Sequence, residues 1–284
     1  MRVTSLIENS CPDERPGLRA EFGLSMHIET NGVRVLFDTG SSGAFLDNAK
    51  ALGIDIAAVD LAVISHQHFD HGGGLASFLE TNDRAPVYLR KSPLAGRWFR
   101  AFGLLKRAIG LDLELIERNA GRFELVDGTS EVAPGVFLIC GIGSAHPRPP
   151  GNRRLYVERE GRFERDPFDH ELMMVVHEGD GMAVFSGCSH HGILNMMDVA
   201  AASFPDTPVH AVFGGFHLIG LPFYDSMGPS RAEVEAIGRQ MLDRVSGPVY
   251  SGHCTGAKGF AVLESVMGER LRPFSTGAVA ELHR

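Results

Sequence analysis

Apolar and polar positions fall in blocks along this chain, and one block arrangement occurs twice. A short apolar run ends in a polar, glycine-rich stretch, and an amphipathic pattern follows. In the first half the run is Leu61–Ile64, the polar stretch is Ser65–Gly74, and the new pattern begins at Leu75, Phe78 and Leu79. In the second half Met182–Phe185 leads into Ser186-Gly187-Cys188-Ser189-His190-His191-Gly192, with a helix expected from Ile193 to Ala202. Each block predicts a buried strand, a loop and a helix.

The remaining pattern fits between these blocks. Glu21–Ile28 and Val33–Phe37 flank Asn31-Gly32, a hairpin signal, and a helix from Ala44 to Leu52 is closed by Gly53. Ala85–Leu89, Val132–Ile139, Leu172–Val176, Val209–Phe213, Pro248–Tyr250 and Leu271–Phe274 read as strands. Lys91 to Asp112 mixes basic and apolar residues around Trp98, Phe99, Phe102 and Leu104, and is expected to form an amphipathic helix pair or a lid. Pro147–Pro167 is an arginine-rich excursion with a hairpin around Glu160-Gly161. Ser230-Arg231-Ala232-Glu233 is a capping box ahead of Val234, Ile237, Met241 and Val245 at helical spacing, and a short helix is expected over Phe260–Met267.

Composition narrows the class. With 284 residues, 44% of them hydrophobic, the chain suits one mixed α/β domain spanning 1–284. A net charge of −8 gives no overall basic field for nucleic acid. No stretch approaches the ~18 consecutive apolar residues of a membrane span. Met1–Ile7 reads as a first strand and not as a secretion signal. Cys11, Cys140, Cys188 and Cys254 form no paired framework, which points to the cytoplasm. The expected partner is a small-molecule substrate, with neither nucleic acid nor membrane.

Chemistry concentrates in the first polar stretch. His66, His68, Asp70 and His71 occupy six positions, and imidazole with carboxylate suits zinc, iron or manganese. His66 and His68, two apart at a strand end, can share a face, while Gly72–Gly74 let the following loop curl back. Two ligand pairs from one loop could hold two metals side by side. In the excursion, Arg148, Arg153 and Arg154 suit a substrate phosphate, because a guanidinium donates two parallel hydrogen bonds.

The His-x-His-x-Asp-His run resembles the signature of the metallo-β-lactamase superfamily. Phe37-Asp38-Thr39-Gly40, Ser186–His190, Gly214-Gly215-Phe216-His217-Leu218 and Gly252-His253-Cys254-Thr255-Gly256 follow in order. Together they are similar to a branch of dihydropterin-ribofuranosylaminobenzene-phosphate synthase-like hydrolases. The resemblance implies a four-layer αββα sandwich and two divalent transition-metal ions, zinc first, with manganese or iron as alternatives. It implies His66, His68 and His190 on one metal, and Asp70, His71 and His253 on the other. His190 is preferred to His191, and Cys188 competes as a ligand. Asp38 would orient ligands through hydrogen bonds. Asp70 would also help place the attacking water, and His217, set apart from the ligands, would donate a proton or hold substrate. The implied activity is metal-dependent hydrolysis of a small phosphorylated or pterin-like compound. The alternatives are the synthase reaction, which releases diphosphate; a lactone or ester hydrolase; and a non-hydrolytic di-iron redox or sensor protein. Glu replaces the residue at His68 in that last group.

Overall fold

The computed structural model describes every residue except 13, 14, 16, 103, 222, 223, 283 and 284. The chain divides into two compact units. One comprises Met1–Asp127, Arg154–Glu171 and Ser275–His283; the other comprises Gly128–Arg153 and Leu172–Phe274. Each contains a seven-stranded mixed sheet and its own helices, so the architecture is α/β with multiple sheets.

In the first unit the sheet runs Val279–Glu281, Arg2–Ile7, Ser25–Thr30, Val33–Phe37, Leu61–Val63, Val87–Arg90, Phe123–Val126. The pairs are antiparallel as far as Val33–Phe37 and parallel beyond it. Asn31 and Gly32 both take positive φ (46° and 79°), which closes the hairpin without splaying its strands. Leu36, Ala62, Ile64 and Val87 form a core with Phe45, Ala49, Leu75, Phe78 and Ile116, which come from Ala44–Ala51, Leu75–Thr81 and Leu113–Arg118. Val35, Phe37 and Val63, the alternate positions, are also fully buried. Burial on both faces is why these strands read as continuous apolar runs.

The first unit also carries a four-stranded antiparallel sheet built from Gly96–Ala101, Leu105–Ala108, Leu155–Arg159 and Arg162–Arg165. The helix pair expected over Lys91–Asp112 is therefore corrected to a β-hairpin of Gly96–Ala101 and Leu105–Ala108. The physical reason is period: Arg97, Phe99 and Ala101 are buried while Gly96, Trp98 and Arg100 are not. On the outer face the Lys106 ammonium lies 3.9 Å from the Trp98 ring centroid and 4.0 Å from that of Phe163. Such cation–π contacts cover the aromatics that suggested an amphipathic helix.

In the second unit the sheet runs Leu271–Pro273, Val249–Ser251, Val209–Gly214, Gly181–Phe185, Met173–Glu178, Val136–Ile139, Thr129–Ala133. Its first four strands are parallel, and the others antiparallel. The single strand expected over Val132–Ile139 is two, because Pro134-Gly135 turns the chain, with Gly135 at φ 70°. Val184, Val212 and Val249 pack with Ile193, Met196, Met197, Val234, Met241 and Leu263 from helices Ile193–Ser203, Arg231–Arg244 and Gly256–Met267. Both hydrogen bonds of the Ser230–Glu233 capping box are present. The last helix begins at Gly256, earlier than Phe260, since Gly256, Lys258 and Gly259 carry no apolar period.

Both sheets thus send the carboxyl ends of parallel strands into the loops that hold the candidate residues, the usual place for a ligand site in an open α/β sheet. Among the described residues no helix is long and apolar enough to cross a membrane. Among the described residues the four cysteines form no disulfide.

Candidate metal centre

The first unit holds the four residues of the signature loop. Strand Leu61–Val63 leads through Ile64 and Ser65, and the chain then passes through His66, Gln67 and His68 into the one-turn helix Phe69–Gly72. His66, His68, Asp70 and His71 are all buried. The helix is docked on the loop after Val33–Phe37: Thr39 donates its N–H to the His71 carbonyl at 2.7 Å, and Gly73 donates to that of Gly40 at 2.9 Å. This docking explains two of the three glycines. A Cβ on Gly73 would lie 2.3 Å from the Ser41 carbonyl oxygen, and one on Gly74 would lie 2.5 Å from those of Ser42 and Thr39. Close backbone approach, rather than a special dihedral, is what excludes a side chain there.

Asp38 sits beneath this loop with φ 60°, fully buried. Its Oδ1 accepts the Ser65 N–H at 2.7 Å, and its Oδ2 accepts the Ser65 hydroxyl at 2.8 Å. Oδ2 also lies 2.6 Å from His71 Nδ1. Counting donors assigns the tautomers. His71 must carry its proton on Nδ1 to donate to the carboxylate. The Ser65 hydroxyl spends its proton on Asp38, so at 2.9 Å its oxygen accepts from His66 Nδ1–H. Both rings therefore turn Nε2, with its lone pair, away from Asp38. His71 Nε2 lies 3.8 Å from Asp70 Oδ2. His68 is held neutral: burial, with His170 nearby, lowers its pKa to about 3.

The second unit holds Cys188, His190, His217 and His253. After Gly181–Phe185 the chain turns through Ser189 at φ 57°. The Ser189 hydroxyl, donating to the Gly215 carbonyl at 2.7 Å, fixes this turn. His190 is fully buried, and its Nδ1 lies 2.9 Å from the Asn152 side-chain oxygen. The Asn152 amide in turn donates to the His190 carbonyl at 2.7 Å, so the same donor count places the His190 proton on Nδ1. Cys188 Sγ lies 3.4 Å from His253 Nε2.

His217, expected apart from the candidate ligands, lies beside two of them, Cys188 and His190. Its ring centroid is 4.3 Å from that of His190, and donor atoms of Cys188, His190 and His217 lie within 4.8 Å of one another. The reason is the backbone: Gly214 at φ 140° and His217 at φ 47° turn the loop back towards the Cys188–His190 turn. A Cβ on Gly215 would stand 2.5 Å from Cys254 Sγ. Burial opposes ionisation of the Cys254 thiol, but hydrogen bonding with Cys188 and the nearby His253 and His217 outweigh it and hold that thiol well below its ordinary range. His191 is buried outside this cluster, its carbonyl accepting from Asn195.

Arg148 is exposed on the rim of a mainly apolar cavity of about 230 Å³ in the second unit, lined by Pro147, Ile193, Phe216, Leu218 and Gln240 among others. Arg153 is exposed. Arg154 stacks over the Phe102 ring at 5.6 Å in the first unit.

Sequence reading passed over Ser65, Asn152, Asp166 and His170. Ser65 adjoins the signature and was available to it. Asn152 lies 38 residues from the ring it holds, and no spacing rule points to it.

The candidate donors in each unit are buried imidazoles, those of His66, His71 and His190 with the Nδ1 proton committed, together with a carboxylate in the first unit and a thiol in the second. Such donors fit a divalent transition metal.

Three comparisons bear on this centre. A family model described as the metallo-beta-lactamase superfamily matches residues 18–192. The 7,8-dihydropterin-6-methyl-4-(beta-D-ribofuranosyl)-aminobenzene-5'-phosphate synthase of Methanocaldococcus jannaschii is 29% identical over 84% of this chain and 82% of its own length. Among solved structures, Tm1679, described as a metal-dependent hydrolase of the beta-lactamase superfamily, superposes with a TM-score of 0.82 at 30% identity, covering 100% of both chains. A diphosphatase of the PhnP family, at 14% identity with a TM-score of 0.54 over 99% of this chain and 98% of its own, shares the fold.

Proposed function

Because this chain belongs to the metallo-beta-lactamase superfamily, we propose that it is a hydrolase that uses two divalent metal ions, zinc first, on a small phosphorylated or pterin-like substrate in the cytoplasm. His66, His68 and His190 would hold one ion. Asp70, His71 and His253 would hold the other, with Cys188 a further donor beside His253. Metals bound there would make water a competent nucleophile near neutral pH and neutralise charge that develops on oxygen.

The observation that carries this reading is the shared tautomer of His66, His71 and His190. Asp38, Ser65 and Asn152 commit each Nδ1–H to a hydrogen bond. Each Nε2 lone pair is thereby aimed, the arrangement that metal-bound histidines ordinarily have. A merely structural histidine cluster has no need for three rings to agree. Asp70 supplies the only carboxylate in the signature loop and would help place the water. His217, beside His190, would hold the substrate or pass a proton.

One observation favours a second reading. The Methanocaldococcus jannaschii relative is named as a synthase. In that reaction an arylamine bearing ribofuranosyl phosphate would join a dihydropterin as diphosphate leaves. Incubation with a dihydropterin diphosphate, with and without the arylamine, separates the two. Hydrolysis without the arylamine supports the first reading, and a joined product formed only with it supports the second. Metal content measured in the same preparation tests both, since protein with no zinc, manganese or iron and no gain on adding them defeats each.

A further inference from the structure

Gln67 lies between His66 and His68 and is itself buried. Its peptide N–H donates to His170 Nδ1 at 2.9 Å. That nitrogen therefore carries no proton, and the ring's single proton sits on Nε2, 3.3 Å from Asp166 Oδ2. Asp166 also accepts the Phe168 N–H at 2.8 Å and the Arg97 guanidinium at 3.4 and 3.5 Å. The other amino group of Arg97 donates to the Gln67 side-chain oxygen at 3.1 Å, while the Gln67 amide nitrogen donates to Ser92 at 2.9 Å. The path runs from Gln67 to His170, Asp166 and Arg97 and returns to Gln67. Arg97, Asp166 and His170 are buried, and the two charges of the ring cancel.

We propose that this closed ring positions the peptide between His66 and His68, with His170 as its positioning residue. The inference rests on the reading of that pair as metal ligands. Arg97 belongs to the first strand of the four-stranded sheet, and Asp166 and His170 follow its last strand. The four-stranded sheet thereby braces the ligand loop, a role separate from any contact with substrate. Donor atoms of His68, Asp166 and His170 also lie within 4.8 Å of one another, a grouping that could suggest another metal. Here both His170 nitrogens are engaged, and Asp166 already takes donors from three residues, so the cluster is closed by its own hydrogen bonds. The loss of one bond would let the Gln67 peptide rotate and move both flanking imidazoles at once.

The test uses the full-length protein as purified and then loaded with zinc. His170→Leu removes both hydrogen bonds at similar volume; His170→Asn keeps an acceptor for the Gln67 N–H. His170→Leu should weaken zinc binding about 10–100-fold, the range in which loss of an outer hydrogen-bond partner lowers metal affinity, seen as faster release to a chelator, and His170→Asn should restore most of the difference. Amide exchange at Gln67, followed by NMR, should quicken at least about tenfold in the leucine variant only, a readout that needs no metal. In wild-type protein, ¹⁵N shifts should show His170 as the neutral Nε2–H tautomer, which keeps the test decisive even where a variant fails to fold. Unchanged zinc release with unchanged Gln67 exchange, or an Nδ1–H tautomer, overturns the proposal. So does an additional tightly held zinc that His170→Leu removes. Wild-type protein that takes up no zinc defeats the metal reading, and Gln67 exchange then decides the ring by itself.

Discussion

His71 Nδ1 stands 2.6 Å from the Asp38 carboxylate, and neither side chain has any exposed surface. The same carboxylate holds both donors of Ser65. One residue, held at φ 60°, thus sets the orientation of His71 directly and of His66 through a hydroxyl. Replacing it removes the acceptor for three buried donors, each costing roughly 1–3 kcal/mol when orphaned. Asp38→Ala should therefore lose several kcal/mol of stability. Asp38→Asn should stay folded, with zinc affinity reduced about 10–100-fold. Competition titration checks it, and wild-type affinity in Asp38→Asn counts against the orienting role.

Asp70 is the carboxylate of the signature loop. Asp70→Asn keeps its shape and removes its charge. The expected outcome is one metal per chain in place of two, loss of most turnover and an unchanged circular dichroism spectrum. Elemental analysis reads the first directly. A variant with two metals and full activity would sink the two-metal reading.

Two glycines offer a contrast. Gly73→Ala drives a Cβ into two backbone oxygens, those of Ser41 and Phe69, which cannot step aside as a side chain would. It should cost at least roughly 1–3 kcal/mol, in the range of overpacking. Gly121→Ala meets nothing within 4 Å and should be near neutral. Denaturant midpoints of the two variants give the comparison, and equal midpoints would refute the close-approach account.

The arginines bear on substrate. Where Arg148, Arg153 or Arg154 binds a phosphate, truncation should raise KM more than it lowers kcat, because that contact is shared by ground and transition states. Losing one charge-assisted contact would cost about 1.5–3 kcal/mol. An unchanged KM in all three single variants would instead favour a neutral lactone or ester.

His27 lies in strand Ser25–Thr30, buried, and neither ring nitrogen has a hydrogen-bond partner among the described residues. Burial lowers its pKa below the ordinary 6.5. The folded protein thus keeps it neutral while the unfolded chain takes up a proton below about pH 6.5. Stability is full above that pH and is lost as pH falls towards the lowered folded value. His27→Leu should be more stable than wild type at pH 8, by removal of two unsatisfied nitrogens, and its advantage should grow at pH 5. Chemical denaturation at the two pH values measures both, and an advantage that shrinks on acidification contradicts the sign.

Local pattern determined a good deal of this protein. The His66–His71 signature, the Asn31-Gly32 hairpin, the Ser230–Glu233 capping box and the two strand–loop–helix blocks are short-range features, each written within a few residues of itself. The family was legible for the same reason, since its motifs are contiguous. Around Trp98 the mixed basic and apolar run reads as a helix pair, although it also supports the two-residue period of a strand. Pairing with Leu155–Arg159, 50 or more residues away, decided it. The tautomer locks and the ring around Gln67 were hidden for a related reason. Asp38 meets His71 across 33 residues, Asn152 meets His190 across 38, and His170 meets Gln67 across 103. A buried hydrogen bond demands a partner of the right kind, but it does not say where in the chain that partner stands. Only the folded backbone, by bringing sheet ends and loops together, makes that choice.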